Sequence, residues 1–241
     1  MKTKLYKLTA LFFIATIITS CSVDIFNRIS GNGNVLTETR KINNDFTTVK
    51  VGSGIDLYIT QGSKVSLTVE ADENLHDLIL TEVNNGHLKI YTEKNIWKAK
   101  ARKVHLTITD LEELTATSGS DVYTKNTLKL ENFKISTSSG ADARVTVHAN
   151  TVSSSASSGS DLRISGLTDS HTSKASSGSS INAYSLESKK TIVKASSGAD
   201  INIYASESLD AKANSGGDID YKGNPKKVNV KTSSGGSISE K

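Results

Sequence analysis

A Ser-Gly step followed two residues later by Asp or Ser recurs through the second half of this chain and limits its fold more than any other feature. The glycines are Gly119, Gly140, Gly159, Gly178, Gly198, Gly216 and Gly235, separated by 21, 19, 19, 20, 18 and 19 residues. Near-constant spacing over seven copies marks a solenoid, in which a unit too small to bury its own apolar side stacks on its neighbours. An eighth copy, Ser53-Gly54-Ile55-Asp56, lies 65 residues before Gly119, so longer or irregular coils are expected between the two.

Side chains on a strand alternate in and out, so alignment on the glycine separates the two faces. Three and five residues after it stand Ala143 and Val145, Leu162 and Ile164, Ile181 and Ala183, and Ile201 and Ile203. Five and three before it stand Ile135 and Thr137, Ser154 and Ala156, Val193 and Ala195, and Ala211 and Ala213. One strand of each coil offers branched bulk and the other mainly small residues, which predicts a narrow interior. Upstream, Val49, Val51, Leu57, Ile59, Leu67, Val69, Leu88, Ile90, Val104, Leu106 and Ile108 alternate with mostly polar neighbours, again a strand pattern. Only Asp72 to Leu80 permits about two helical turns.

The predicted fold is all-β, a single-stranded solenoid with about 19 residues per coil in the C-terminal half. At ~3.3 Å per residue and ~4.8 Å between strands, a coil runs roughly 60 Å around and seven coils extend roughly 34 Å. A disordered Ser-rich stalk would not require apolar residues at fixed offsets. An antiparallel sandwich with hairpin returns has the same alternation and stays open at this point. Gly54, Gly119, Gly140, Gly159, Gly178, Gly198, Gly216 and Gly235 are the expected corners, where the absence of a Cβ permits a left-handed bend. The serine before each glycine and the aspartate after it are expected to bond the backbone at that bend.

At the other end of the chain, Lys2, Lys4 and Lys7 precede an apolar run from Leu8 to Ile18, followed by Thr19-Ser20-Cys21. The run is far shorter than the roughly 20 residues a membrane-spanning helix needs and has the form of a signal peptide. Ile18-Thr19-Ser20-Cys21 has the form of a lipobox, and Cys21 is the only cysteine in the sequence, so it is the expected lipidation site and no intramolecular disulfide is available. Residues 1–20 are thus a lipoprotein signal peptide, 21–40 a lipid-anchored tether and lead-in, and 41–241 one β-solenoid domain, irregular to about 110 and regular from 111. The expected location is the cell envelope, with the membrane as partner through the N-terminal lipid and the outer membrane as the expected site. Leaving out Lys2, Lys4 and Lys7 takes the formal charge from +4 to +1. The basic residues are scattered along the sequence, Lys226, Lys227 and Lys231 form a solvated tail, and nucleic acid is not an expected partner.

The stretch Lys41-Ile42-Asn43-Asn44-Asp45-Phe46, then Val49-Lys50-Val51-Gly52-Ser53-Gly54-Ile55-Asp56-Leu57-Tyr58-Ile59-Thr60-Gln61-Gly62, then the Ser-Gly-x-Asp repeats, resembles the DUF2807 family, also called the head GIN domain or putative auto-transporter adhesin family. The resemblance covers about residues 35–238. It implies an exported solenoid resembling a right-handed parallel β-helix, often lipid-anchored, and it carries no catalytic residues to transfer. Ser180 and Ser237 stand where other copies have Asp, which breaks any acidic ladder.

Asp142 and Arg144 with Asp161 and Arg163 are expected to form a polar square on two adjacent coils. Repetition at a turn offset favours a structural role for these carboxylates over acid–base chemistry, which needs two in distinct environments. His76, His87, His105, His148 and His171 lack ligand spacing, and one acid per coil, interrupted by serine, is a poor calcium repeat. No cofactor, metal ligand or catalytic residue is therefore assigned, with a carbohydrate-active enzyme kept as a minor alternative. The function expected is a binding or adhesion module for a glycan or envelope protein. The alternative is a structural or assembly-associated lipoprotein without a small ligand. The expected contact face is the outward side of the strand after each glycine: Asp142, Arg144, Asp161, Arg163, Asn182, Tyr184, Asp200, Asn202 and Tyr204, with the two tyrosines stacked together.

Overall fold

Each corner of the repeat is a two-residue left-handed turn. At Ser158 and Gly159 φ is 54° and 65°, and the same signs recur at all eight Ser-Gly steps, as a type I′ turn requires. The N–H groups of Ala141 and Ala199 close their turns by donating to the carbonyls of Ser138 and Ser196 at 3.2 Å. The corner is also part of the sheet. The N–H of Gly140 donates to the Ser158 carbonyl, that of Gly159 to Ser177, and that of Gly198 to Ser215, each at 3.2 Å.

The chain is described by a computed structural model covering residues 28–241; Cys21 and the signal segment lie outside the described residues. Asp142–Ala156, Asp161–Ala175 and Ser180–Ala195 each carry one coil from corner to corner. They pair in parallel, Asp142 opposite Asp161 and Asp161 opposite Ser180, so the regular half has no hairpin returns. Burial alternates along Asp142–Ala156 until Asn150 and Thr151, which are both exposed, and there the chain passes to the other side of the coil. Most residues expected inside are buried there, including Ile201, Ile203, Ala211 and Ala213; Thr124, Val230 and Thr232, expected inside at the same offsets, are half-buried in the first case and exposed in the other two. Each fully enclosed isoleucine contributes about 2 kcal/mol.

The interior also holds polar groups, and most find partners. Ser154 Oγ donates to Ser173 Oγ at 3.0 Å and lies 2.9 Å from His171 Nε2. Burial lowers the pKa of His171 to about 4, so its ring is neutral at physiological pH.

The eighth repeat overturns the expected stacking order. Glu113–Ala116 pairs directly with Thr48–Val51, and Val122 with Leu57, so the Gly54 coil lies against the Gly119 coil with nothing between them. The intervening chain builds on the opposite edge instead. Gly86–Thr92 extends Phe46–Val51 in parallel, and Arg102–Ile108 extends Asp56–Gln61. Antiparallel strands Ser66–Asp72, Val35–Arg40 and Ile79–Asn84 complete this cap. A sheet edge left open is a template for unwanted pairing, and the excursion covers it.

Glu73–Leu78 is a 3-10 helix, close to where two helical turns are expected, and buries Leu75 and His76. Asp72 precedes it and is buried; its carboxylate accepts from the N–H groups of Gly33, Lys100 and Ala101 at 2.9–3.0 Å. Burial opposes ionisation, but the backbone donors outweigh it and hold the carboxyl below its ordinary range. Arg28–Ser30 pairs with Asn95–Lys98, so the chain joins the folded body at the cap. At the far end, Val228 and Val230 are 46% and 47% exposed, because no further coil covers the strand Lys227–Thr232 among the described residues.

Two glycine substitutions separate backbone strain from collision. A Cβ at Gly159 meets nothing within 4 Å, whereas one at Gly166, where φ is 125°, runs into the Val147 carbonyl. Gly159→Ala is expected to cost about 1–2 kcal/mol from its positive φ alone, and Gly166→Ala more than about 3 kcal/mol. Urea unfolding of both variants checks this, and equal midpoints would contradict the geometry of the Gly166 strand.

Candidate ligand-contact face

The position four residues after each corner glycine points outward, and parallel pairing stacks it from coil to coil. His105, Tyr58, Tyr123, Arg144, Arg163, Asn182 and Asn202 lie in one row, which at ~4.8 Å per step is roughly 29 Å long. His105 stacks on Tyr58 with centroids 5.2 Å apart and planes 16° apart, and Tyr58 on Tyr123 at 5.4 Å and 19°. The Lys125 ammonium lies 4.2 Å from the Tyr58 centroid, and the Arg144 guanidinium 5.9 Å from that of Tyr123. Glu70 fixes the cap end of the row, accepting from Lys103 at 2.9 Å and meeting His105 at 3.0 Å. The hydrogen bond from Lys103, then that from His105, holds the Glu70 carboxyl below its usual range.

A second outward row contains Asp121, Asp142, Asp161, Ser180, Asp200 and Asp218. Burial first, and then the charges of Asp121 and Asp161, push the Asp142 carboxyl up. Burial and Asp121 raise Asp56 likewise, against Arg102 and Lys103. Asp142 and Asp161 beside Arg144 and Arg163 form the polar square expected from the sequence.

The aspartates do not cap the corners, contrary to expectation. At two corners the serine between the glycine and the next outward residue does so instead: the Ser157 N–H donates to Ser160 Oγ at 3.2 Å and the Ser176 N–H to Ser179 Oγ at 3.3 Å. Strand alternation turns this residue inward and the aspartate outward, away from the bend. Ser120, Ala141, Ser160, Ser179 and Ala199 are all buried at this position, as is the bulkier Ile55 after Gly54, and small size in the regular half is the signal the sequence carries for its inward direction.

Asp142, Arg144, Asp161, Arg163, Asn182, Asp200 and Asn202 come together on these two rows. Beside them lies an open depression of about 500 Å³ lined by Arg144, Thr146, Arg163, Ser165, Asn182 and Ser185. Tyr184 and Tyr204 are not a stacked pair among the described residues. The Ser180–Ala195 strand carries one extra residue opposite the Arg163/Ser165 interval; Tyr184 falls at this bulge, and the Lys222 ammonium sits 4.3 Å from its ring centroid. Tyr204 lines a separate groove of about 530 Å³ with Leu130, His148, Leu167, Asp169, Glu187 and Lys189, where Leu167 is 48% exposed.

Tyr58 and Tyr123 were missed by the sequence reading, although they stand at the same offset from Gly54 and Gly119 as Arg144 does from Gly140. His105 joins them through the cap and has no periodic signal. Rings, guanidinium forks and amides on a rigid surface can stack on a sugar or peptide face and bond its polar groups. Ser154 and His171 make a hydroxyl–imidazole pair, but both are enclosed, so that pair packs the interior. Among the described residues no group of three or more His, Cys, Asp or Glu is placed to hold a metal ion.

Residues 45–225 match the family model DUF2807, "Putative auto-transporter adhesin, head GIN domain". The fold is similar to a crystal structure of a putative adhesin from Bacteroides fragilis, 21% identical, with a TM-score of 0.83 over 88% of this chain and 100% of that one. It is also similar to a putative lipid binding protein from Parabacteroides distasonis, 24% identical, with a TM-score of 0.73 over 89% and 99% of the two chains. A putative adhesin from Parabacteroides merdae, 19% identical, has a TM-score of 0.69 over 89% and 99%. At these identities the likeness is one of fold. No curated protein matches the chain.

The aspartate row sets a pH test. A carboxyl whose pKa is raised in the folded state weakens the fold above that pKa and stops doing so once protonated. Asp142→Asn is therefore expected to raise the melting temperature at pH 7, with the gain disappearing near the unfolded carboxyl pKa of about 3.9. Calorimetry at both pH values checks it; a lower melting temperature at pH 7 would mean that Arg144 offsets the repulsion.

Proposed function

Because the chain belongs to the DUF2807, or head GIN domain, family, we propose that it is a lipid-anchored binding module of the cell envelope that holds a glycan or envelope protein against its aromatic and arginine row. The observation that carries this reading is the line His105–Tyr58–Tyr123–Arg144–Arg163. Stacked rings pass directly into two guanidinium groups on one rigid face. Half-buried rings stacked in register cover one another's faces and present their edges and polar tips at fixed intervals, while arginines and asparagines beside them supply directional donors. Such a surface binds without reorganising, which lowers the entropic cost of association.

The anchor is supported by the signal segment and by Cys21 at its end. Six residues lie between Cys21 and Arg28, the first described residue, and the seven steps reach at most about 25 Å. An acylated Cys21 would therefore hold the cap end of the solenoid near the bilayer and leave the later coils farther out.

Two experiments test the two parts. Wild-type protein is expected to incorporate labelled palmitate and Cys21→Ala to lose both the label and membrane association; an unlabelled wild-type protein found wholly in the medium would remove the anchor. For recognition, a glycan and envelope-protein screen with purified protein identifies the partner. Tyr58→Ala with Tyr123→Ala, and separately Arg144→Ala with Arg163→Ala, should each weaken its capture by about tenfold or more while the fold is retained, an effect typical of interface anchors. Unchanged capture by both folded variants would eliminate this face.

A further inference from the structure

Lysines that are scattered in the sequence gather into a ladder on the other side of the corner. Lys174, Lys194, Lys212 and Lys231 are 20, 18 and 19 residues apart, and the register places each directly against the next on four consecutive coils. Four residues before the corner glycine, all stand on the outward face of their strands. Four positions earlier on the same face, Lys190 pairs with Ser208 and Ser208 with Lys227, and the row between holds Thr172, Ile192, Asp210 and Asn229. Asp210 is the one carboxylate in these three rows over the last four coils; it accepts from the Asn229 amide at 3.1 Å and lies 4.0 Å from one ladder lysine, Lys212. The stripe absent from the linear sequence is thus built by the period of the coil.

Like charges directly opposite on neighbouring strands are destabilising. Edge protection accounts for Lys227 and Lys231, on the last coil, where lysine discourages strand addition. It does not account for Lys174 and Lys194, which have coils on both sides. The face is also concave. Lys174 and Lys194 border a depression of about 380 Å³ beside the corner, and Lys190, Lys227, Ile192 and Val228 border another of about 710 Å³. Ile192, 49% exposed, lines the second depression among the ammonium groups. A flat bilayer meets protrusions, whereas a polymer chain can lie in a trough.

We propose that this lysine ladder binds an acidic polysaccharide, laid along the solenoid axis with its anionic groups on successive coils. The ~4.8 Å coil spacing is close to the advance of an extended polysaccharide per sugar residue, so a chain with one carboxylate on each sugar matches the ladder rung for rung. Ile192 supplies an apolar contact for a sugar face. The site lies across the corner from the aromatic and arginine row and does not depend on it.

The test uses folded wild-type protein with polygalacturonate as the probe, neutral dextran as the uncharged control, and vesicles of phosphatidylcholine with phosphatidylglycerol as the lipid arm. Wild type is expected to bind polygalacturonate at low ionic strength, to lose it as salt is raised, and to ignore dextran. Lys174→Gln with Lys194→Gln and Lys212→Gln should weaken binding at least about tenfold and flatten the salt dependence, because three steering charges are gone. Lys41→Gln with Lys64→Gln, exposed lysines away from the ladder, should change it little. Tyr58→Ala with Tyr123→Ala should leave polygalacturonate binding intact, which separates this site from the other face. No polygalacturonate binding by wild type, an equal loss in the Lys41/Lys64 variant, or binding to the vesicles alone would each overturn the proposal.

Discussion

The structure depends on a backbone hydrogen-bond ladder that runs through the corners as well as the strands. A corner can donate to the next coil only if the two superimpose, so every Ser-Gly step takes the same pair of left-handed conformations. Serine is less suited than glycine or asparagine to positive φ, and the fold accepts this strain eight times in return for an unbroken ladder. Variation in coil length is absorbed elsewhere. The coil two residues longer than its neighbour places its extra length between Tyr123 and Leu128, and the 20-residue coil places it at the Tyr184 bulge. The tight corner is constant because it is hydrogen-bonded above and below.

That constancy made much of the fold legible in the sequence. The period gave the coil, and alternation about the glycine identified the buried positions, because inward direction is a local property of a strand. The stacking order was not legible. Whether Gly54 neighbours Gly119 depends on where residues 62–110 go, and both routes satisfy the same alternation. Corner capping was misplaced by one position for a related reason: aspartate bonds well to turns in general, but here the strand has already begun and points it at solvent. The contact rows were half legible. Arg144 and Arg163 follow from the offset, while His105 reaches the row through the cap, and the lysine ladder required residues about 19 positions apart to be read as neighbours.

Parallel in-register stacking superposes equal offsets, so any chemistry repeated at one offset becomes a stripe. The aspartates two residues after the glycine and the lysines four residues before it lie on either side of the same corner, and neither row neutralises the other. Burial first, and then repulsion from Asp121 and Asp161, raises the pKa of Asp142, and Ser180 interrupts the row between Asp161 and Asp200. Separating the signs in this way gives up attraction that alternating rows would have supplied, about 0–1 kcal/mol per exposed pair. What remains is a body with a distinct electrostatic character on each face.

The interior explains why such an arrangement is tolerated. Ser154, Ser173 and His171 occupy positions that a conventional core would fill with aliphatic side chains, and the His171 Nδ1 has no partner. A core this polar contributes less than an aliphatic one of the same volume, so coil-to-coil backbone bonding has to carry a larger share of the stability. Side chains on the outside are correspondingly free of structural duty, since each rung is held by its backbone whether it bears Arg, Asn, Lys or Tyr. A surface assembled from such rungs gains affinity by length rather than by depth: each coil adds one small contact in a fixed direction, and no single concavity encloses a ligand. Partners suited to it are extended and repeat along their own axis, which favours polymers and flat protein faces over isolated small molecules.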